Sequence, residues 1–482
     1  MGLENVRRHP LYLFYLCILS GLLLLGGLIL SFFSRGFSYG DPEFLALEKQ
    51  LQSPFIEAVT LQSWIDDGNK HPFGYPVVVV DTSATGYEEG HIPGALSIPW
   101  TEFSEVRSDG PALVDSMVAG GSHIDELLKR MGIRNQETLI VFTSNEPQTG
   151  YTVTRAFWTL YYWGFKPRYI KILNGGNQGY AKAGFSLTKE LSSPGPGTFS
   201  VRNLNSPNQM DESRKSIGDM IRLVDEGKTQ DGSVQVLYVL PPDIRLPGSR
   251  ERIKLNDFNA LSVYFSGKIQ GATQLMFDEK NLFQPDGTLK TKQEILKLFT
   301  GIGLDPGKPT IVYCNRGNMA SLYWFALKFV AGFKDIAVYD GSWNEWGKLL
   351  AYRPTPQAPY VLRDGVAEAF LQGYDPQRRV FLDSLGNEQT VPNAFLVPGG
   401  VLEGHTDWDT LTRSELVVFN LEAIQPAALP EPYATSPDYL GNGDEIENED
   451  RSYLLAGGGI TQGPQEPTPT AIQPIMGAGG GC

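Results

Sequence analysis

The sequence predicts an α/β protein in which two similar parallel-sheet domains follow an N-terminal membrane anchor. Short β-branched runs, typical of buried parallel strands, alternate with helix-like runs, and this order occurs twice along the chain. A long uncharged apolar segment precedes both copies. At 482 residues the chain is long enough for about three domains.

The composition excludes several classes of protein. Apolar residues make up 41% of the chain, which is enough to build real cores. Lys and Arg total 40 against 54 Asp and Glu, giving a net charge of −14. This balance argues against a nucleic-acid partner, because contacts to phosphates need clustered cations. Three cysteines and five scattered histidines form neither a disulfide framework nor a metal-ligand cluster, so we expect no metal site and no cofactor.

Residues 11–33 form an uncharged apolar run that is long enough to cross a bilayer as a helix. Arg7 and Arg8 precede it, so the positive-inside rule places the N-terminus in the cytoplasm. The alternative is a cleaved signal peptide, whose apolar region is normally shorter. We therefore expect a single-pass protein of the inner membrane, with most of the chain on the periplasmic side.

The first domain is predicted over residues 50–192 and the second over residues 198–352. Both contain a strand, a turn-rich loop, a second strand, a helix and a third strand in the same order. In the first copy we predict strands at 76–81, 138–142 and 169–173 and a helix at 153–160. In the second copy we predict strands at 234–240, 310–313 and 336–339 and a helix at 320–327.

Two further segments follow the second domain. Residues 353–425 contain strand-like pieces at 379–382, 394–397 and 415–419, which predict a small accessory β element. Residues 426–482 are rich in Pro, Gly and acidic residues, and this composition predicts a partly disordered acidic tail that could hold a partner protein of the cell envelope. The tail ends in Cys482, which is either a sulfur acceptor, a tether or an incidental thiol.

Three motifs together resemble the tandem-domain rhodaneses, the thiosulfate and mercaptopyruvate sulfurtransferases. They are GHIPGA at 90–95, the strand that runs into Cys314 and then a helix, and YDGSWNEW at 339–346. The resemblance covers roughly residues 50–350. It implies two rhodanese-like domains, a catalytic second domain, and a first domain that lacks the reactive thiol.

The position of Cys314 argues for a nucleophile independently of that resemblance. A cysteine between a buried strand and a helix start faces backbone N–H groups and the positive end of the helix dipole. Both favour the thiolate, which is the reactive form. The expected reaction transfers a sulfane sulfur from a donor such as thiosulfate to Cys314, and then to a thiol or to cyanide. The alternative is a buried cysteine that only fills space.

The residues after Cys314 are the expected substrate contacts. The cysteine loop (residues 314–319) has the length typical of sulfur-handling members of the family, and phosphatase relatives have a longer loop. Arg316 supplies a positive charge for an anionic substrate, and Gly317 lets the loop curl. The full predicted set is Asn315, Arg316, Gly317, Asn318, Met319, Ala320 and Arg245.

Other features favour a second function. The Asp-x-Arg sequence of the family is Tyr238-Val239-Leu240 here, and Lys268 replaces the histidine of GHIPGA in the second copy. These departures, with the acidic tail, are consistent with a catalytically weak rhodanese-like module that serves as a binding or assembly part of an envelope complex. Within the enzyme class the donor stays open, and selenium is compatible with the same cycle.

Overall fold

The structure is a computed structural model. It describes residues 41–109, 114–146, 150–204, 208–240, 265–266, 269, 271–346, 380–382, 388–390, 395–397, 401–403, 418–419 and 443–456. The predicted anchor at 11–33, Arg245, Lys268 and Cys482 lie outside these residues. Within the described segments, every helix is too short or too polar to span a bilayer.

The first domain contains a five-stranded parallel sheet. Its valine-rich strand is buried, as expected for a strand covered on both faces. Across the sheet the strands are Phe55–Ile56, Ile170–Leu173, Leu139–Thr143, Val77–Asp81 and Leu96–Ser97. The α-helices of this domain are Pro42–Gln52, Ala58–Asp66, Gly121–Arg130, Tyr151–Tyr162 and Gly176–Lys182, with a 3₁₀-helix at Trp100–Phe103.

The second domain repeats this topology. Across its sheet the parallel strands are Arg214–Lys215, Ile336–Tyr339, Thr310–Tyr313, Gln235–Leu240 and Thr273–Met276. Its helices are Asn208–Ser213, Ile217–Asp225, Glu279–Leu282, Lys292–Gly301, Asn318–Phe325 and Ser342–Trp346, with a π-helix at Ala326–Ala331; a 3₁₀-helix at Val201–Asn203 precedes the domain. The strands predicted from sequence in both copies are confirmed to within one residue at each end.

The two domains meet through equivalent helices. Tyr151–Tyr162 in the first domain packs against Asn318–Phe325 in the second. The hydroxyls of Thr154 and Ser321, each three residues after its helix begins, lie 3.0 Å apart in the interface. The rings of Phe157 and Phe325 pack edge to face at 5.0 Å nearby. One continuous apolar core therefore runs through both domains.

A β-hairpin of the first domain extends onto the second. Its strands, Ser104–Arg107 and Val114–Val118, pair antiparallel and lie outside the five-stranded sheet. The second strand contacts residues of the second domain, and Arg107 of the first strand contacts the helix near the C-terminus, as described below. We call this element the covering hairpin.

Among the described residues after Trp346, the chain forms short strand pairings and one helix. Val380–Leu382 pairs with Glu388–Thr390, Phe395–Val397 with Val401–Glu403, and Val418–Phe419 with Phe265–Ser266. Three of these strands overlap the strand-like pieces predicted at 379–382, 394–397 and 415–419.

One part of the acidic tail predicted over residues 426–482 forms regular structure. Glu445–Leu455 forms a helix, which we call the clamp helix, and Ile446, Glu447 and Asp450 are buried. Its acidic side chains bind arginines of both domains, and these distant partners stabilise a segment whose composition alone favours disorder.

Candidate functional site

Cys314 lies at the carboxyl end of the central strand of the second domain. The strand Thr310–Tyr313 is buried, and the helix Asn318–Phe325 begins four residues after the cysteine. Gly317 precedes the helix with φ +78°, a left-handed conformation that glycine adopts without a Cβ clash. The structure thus brings the predicted loop residues together at one sheet edge.

The segment 339–346 anchors the cysteine loop. The Trp343 amide donates to the Cys314 carbonyl at 3.0 Å, and the Asn344 amide donates to the Asn315 carbonyl at 2.8 Å. The Cys314 amide donates to the Ser342 hydroxyl at 3.2 Å. These bonds explain physically why the YDGSWNEW sequence accompanies the loop: it holds the backbone on both sides of the sulfur.

Ser342 is a site residue that sequence reasoning missed. Its φ of +53° is in the left-handed region, where a residue with a side chain is strained. The first domain has Gly176 with φ +57° at the corresponding position, which is likewise the first residue of a helix. A serine is retained in the second domain, and its hydroxyl binds the Cys314 amide.

The thiol of Cys314 is almost enclosed, with the residue 2% exposed. The helix that follows has no side-chain hydrogen bond at its N-terminus, so its first-turn amides face the loop without a capping group. Tyr238 donates to the Asn315 side-chain oxygen at 3.3 Å. Among the described residues, Asn315 Nδ2 and Asn318 Oδ1 are buried without a hydrogen-bond partner.

The other predicted contacts differ in environment. Met319 and Ala320 are buried in the apolar core, so their side chains pack inward. Arg316 lies nearer the surface, and its Nε is 3.3 Å from a carboxylate oxygen of Asp115 on the covering hairpin. Asp115 also accepts a hydrogen bond from the Asn344 side chain. The first domain therefore supplies one wall of the site, and part of the positive charge expected from Arg316 is neutralised.

The corresponding place in the first domain carries Ser144. The Asn177 amide donates to its carbonyl at 3.0 Å, as the Trp343 amide does to Cys314. The Ser144 hydroxyl accepts from the Glu146 amide at 3.0 Å. The following helix begins only at Tyr151, so the loop is longer and contains no thiol.

A buried ionic network lies directly behind the cysteine loop. Asp340 receives hydrogen bonds from Arg155 at 2.7 Å, from Arg214 at 3.4 Å and from the Val118 amide at 2.6 Å. Both arginines are fully buried, and Arg155 comes from the first domain. Sequence reasoning missed both arginines; a charged residue inside an otherwise apolar helix, as at Arg155, was the available signal.

The network holds more acidic than basic groups. Asp109, Asp340, Glu345 and Glu447 surround Arg214 and Arg155, and all are buried. Burial raises the pKa of Asp109 to about 7, against the opposing effect of Arg214. Burial likewise raises the pKa of Glu345 well above its usual value, and the neighbouring Asp109 charge adds to this.

The comparisons with known proteins agree with this architecture. The family model for the rhodanese-like domain matches residues 58–183 and 243–349. The chain is 28% identical over 296 residues to the sulfur carrier protein TtuD of Thermus thermophilus, covering 61% of this chain and 95% of that protein. It is 27% identical over 296 residues to a thiosulfate sulfurtransferase of Corynebacterium glutamicum, covering 61% and 89%.

One solved structure aligns with part of the chain. The crystal structure of SseA from Escherichia coli, described with the 3-mercaptopyruvate sulfotransferases, aligns with a TM-score of 0.45 at 22% identity. The alignment covers 60% of this chain and 99% of SseA. The two matches to the family model fall on the two α/β domains described above, so the chain contains two rhodanese-like domains in tandem. The chain is a rhodanese-type, thiosulfate sulfurtransferase-like transferase.

The conformation of Gly317 generates the first prediction. A Cβ at this position would lie 2.7 Å from the Asp340 carbonyl oxygen, in addition to the strain of a positive φ. Gly184 has φ +95° with open space around it, so Gly184→Ala is a control for the strain alone. We expect Gly317→Ala to lower the free energy of unfolding by about 1–3 kcal/mol more than Gly184→Ala, measured by urea denaturation. Equal losses would contradict the close packing of the loop on Asp340.

The raised pKa of Asp109 generates the second prediction. Folding favours its protonated form, since its pKa is about 7 in the fold against 3.8 in the unfolded chain. Its contribution to stability is therefore complete below about pH 3.8 and is lost as the pH rises through about 7. Asp109→Asn should flatten the decline in melting temperature between pH 4 and 8, whereas the exposed control Asp335→Asn should not. An unchanged profile in Asp109→Asn would be evidence against the assigned protonation.

Proposed function

We propose that the protein transfers a sulfane sulfur through a persulfide on Cys314. The thiolate attacks the outer sulfur of the donor, the new S–S bond forms, and the remainder of the donor leaves with the electron pair of the broken bond. For thiosulfate the leaving group is sulfite. A thiol or cyanide acceptor then attacks the outer sulfur, and Cys314 returns to the thiolate.

One observation carries this proposal. Cys314 ends the central strand at the uncapped N-terminus of the following helix, with its backbone held by Ser342, Trp343 and Asn344. The positive end of the helix dipole stabilises a thiolate at this position. It stabilises the negatively charged terminal sulfur of a persulfide in the same way. The names of the curated relatives support sulfur transfer as the general activity.

A small sulfur-containing anion is the donor class that this site favours. The first-turn amides and Arg316 attract negative charge, while Asp115 limits the net positive charge at the entrance. The site residues include no metal-binding cluster within the described segments, and the proposed chemistry needs only the sulfur atoms of Cys314 and the two substrates. The predicted anchor at residues 11–33 supports a location on the periplasmic side of the inner membrane.

The alternative, a catalytically weak binding module, has some support in the enclosure of Cys314, which is 2% exposed. The idea that the acidic tail binds a partner protein is weakened, because the buried face of the clamp helix binds the protein's own domains. The two functions make opposite predictions about persulfide formation.

Incubation with thiosulfate tests the proposal. We expect the Cys314 peptide of the purified protein to gain the mass of one sulfur atom by mass spectrometry, and cyanide to remove it with formation of thiocyanate. Cys314→Ser should lose cyanolysis by about a thousandfold or more, since it removes the nucleophile. Cys482→Ser, which removes the other extramembrane thiol, is the matched control and should retain activity. Wild-type protein without the added sulfur, or undiminished activity in Cys314→Ser, would overturn the assignment.

A further inference from the structure

The clamp helix binds the covering hairpin through a buried ion pair. Asp450 accepts two hydrogen bonds from Arg107, at 2.6 and 2.9 Å, in a bidentate arrangement. Glu449 binds the same guanidinium at 2.9 Å, and the hydroxyl of Tyr162 donates to Asp450 at 2.7 Å. Arg107 lies in the first hairpin strand, so this end of the hairpin is fixed by the C-terminal segment of the chain.

A second set of contacts fixes the residues between the hairpin strands. The Ile446 amide at the start of the clamp helix donates to Asp109 at 2.8 Å. Arg214 of the second domain binds Asp109 with one nitrogen and Glu447 with another, the latter at 2.6 Å. The clamp helix, the covering hairpin and the second domain therefore meet at one fully buried guanidinium.

The covering hairpin in turn contacts the cysteine loop and its support. Asp115 is 3.3 Å from Arg316 within the loop, and the Val118 amide donates to Asp340 at 2.6 Å. Asp340 lies against Gly317, whose added Cβ would meet it at 2.7 Å. A continuous series of charged contacts thus runs from the clamp helix to the loop that carries Cys314.

We propose that the clamp helix holds the covering hairpin over Cys314, and that Asp450 and Glu447 are positioning residues for sulfur transfer. This inference rests on the proposed function for its kinetic consequences. It offers a reason for the enclosure of Cys314, which is 2% exposed and whose loop contacts the hairpin through Arg316 and Asp115. Neither residue touches the reacting sulfur. Asp450 acts through Arg107 of the covering hairpin, and Glu447 acts through Arg214 of the second domain.

The clamp helix depends on these contacts for its own formation. It has eleven residues, and an isolated helix of this length is marginal in water. Its first turn carries Glu445 and Glu447, but it has no side-chain cap at the N-terminus. Removing the partner of a buried arginine therefore disfavours the docked helix as a unit, and the hairpin loses its restraint.

The test uses the full-length protein and two variants that weaken the clamp by different means. Asp450→Asn removes the charge that pairs with Arg107. Gly121→Ala changes no charge, but its Cβ would lie 2.1 Å from the Tyr453 ring of the clamp helix. Arg451→Ala is the matched control, because Arg451 lies on the exposed side of the same helix and pairs with exposed Asp211.

We expect iodoacetamide to alkylate Cys314 at least fivefold faster in Asp450→Asn and Gly121→Ala than in the wild type. The rate is measured by mass spectrometry well below the melting temperature of each variant. In the sulfurtransferase assay, the KM for thiosulfate should rise at least threefold while kcat falls less, because Arg316 loses its fixed orientation. Arg451→Ala should match the wild type in both measurements.

The outcomes separate this inference from the proposed function. Faster alkylation in a protein that forms no persulfide would support the clamp and refute sulfur transfer. Wild-type alkylation and wild-type KM in both variants would refute the clamp and leave sulfur transfer standing. If Asp450→Asn does not fold, the result for Gly121→Ala decides whether the clamp is correct. If Arg451→Ala changes alkylation and KM as much as the two clamp variants do, the helix has a general stabilising role and the clamp is refuted.

Discussion

The arrangement of the two domains depends on the hydrogen bonds and ion pairs that the Asp340 carboxylate makes. One oxygen pairs with Arg155 from the first domain, and the other accepts from Arg214 and from the Val118 amide of the covering hairpin. Removing one partner of a buried ion pair typically costs about 3–5 kcal/mol, because the remaining charge stays buried. The relative position of the domains and the shape of the loop beside Asp340 are consequently fixed together.

The sequence predicts most of the regular structure because the relevant forces are local. Four valines before Asp81 and the apolar run 310–313 can form only buried strands, and both lie where expected. The cysteine loop is also recognisable, since a strand, a cysteine and a glycine that precedes a helix follow one another directly. In these segments, the residues that produce the sequence pattern are the same neighbouring residues that form the strand or the loop.

Features that depend on distant partners could not be predicted. Arg107 and Asp450 are 343 residues apart in the chain, and Arg214 and Glu447 are 233 apart. The composition of an acidic, Gly-rich segment indicates a disordered tail, since it does not show that distant arginines bind the segment in the fold. The pairing of Arg316 with Asp115 has the same character, since nothing near the cysteine loop indicates that the first domain supplies a carboxylate.

The separation between Arg107 and Asp450 also bears on biosynthesis. A ribosome translates Asp450 343 residues after Arg107, when Arg214 has also long been translated. A nascent or prematurely terminated product that ends before residue 443 contains both domains, yet Arg107 lacks the carboxylate of Asp450 and Arg214 lacks that of Glu447. Docking of the clamp helix is therefore a late step of folding during synthesis, and a product that ends before residue 443 cannot undergo it.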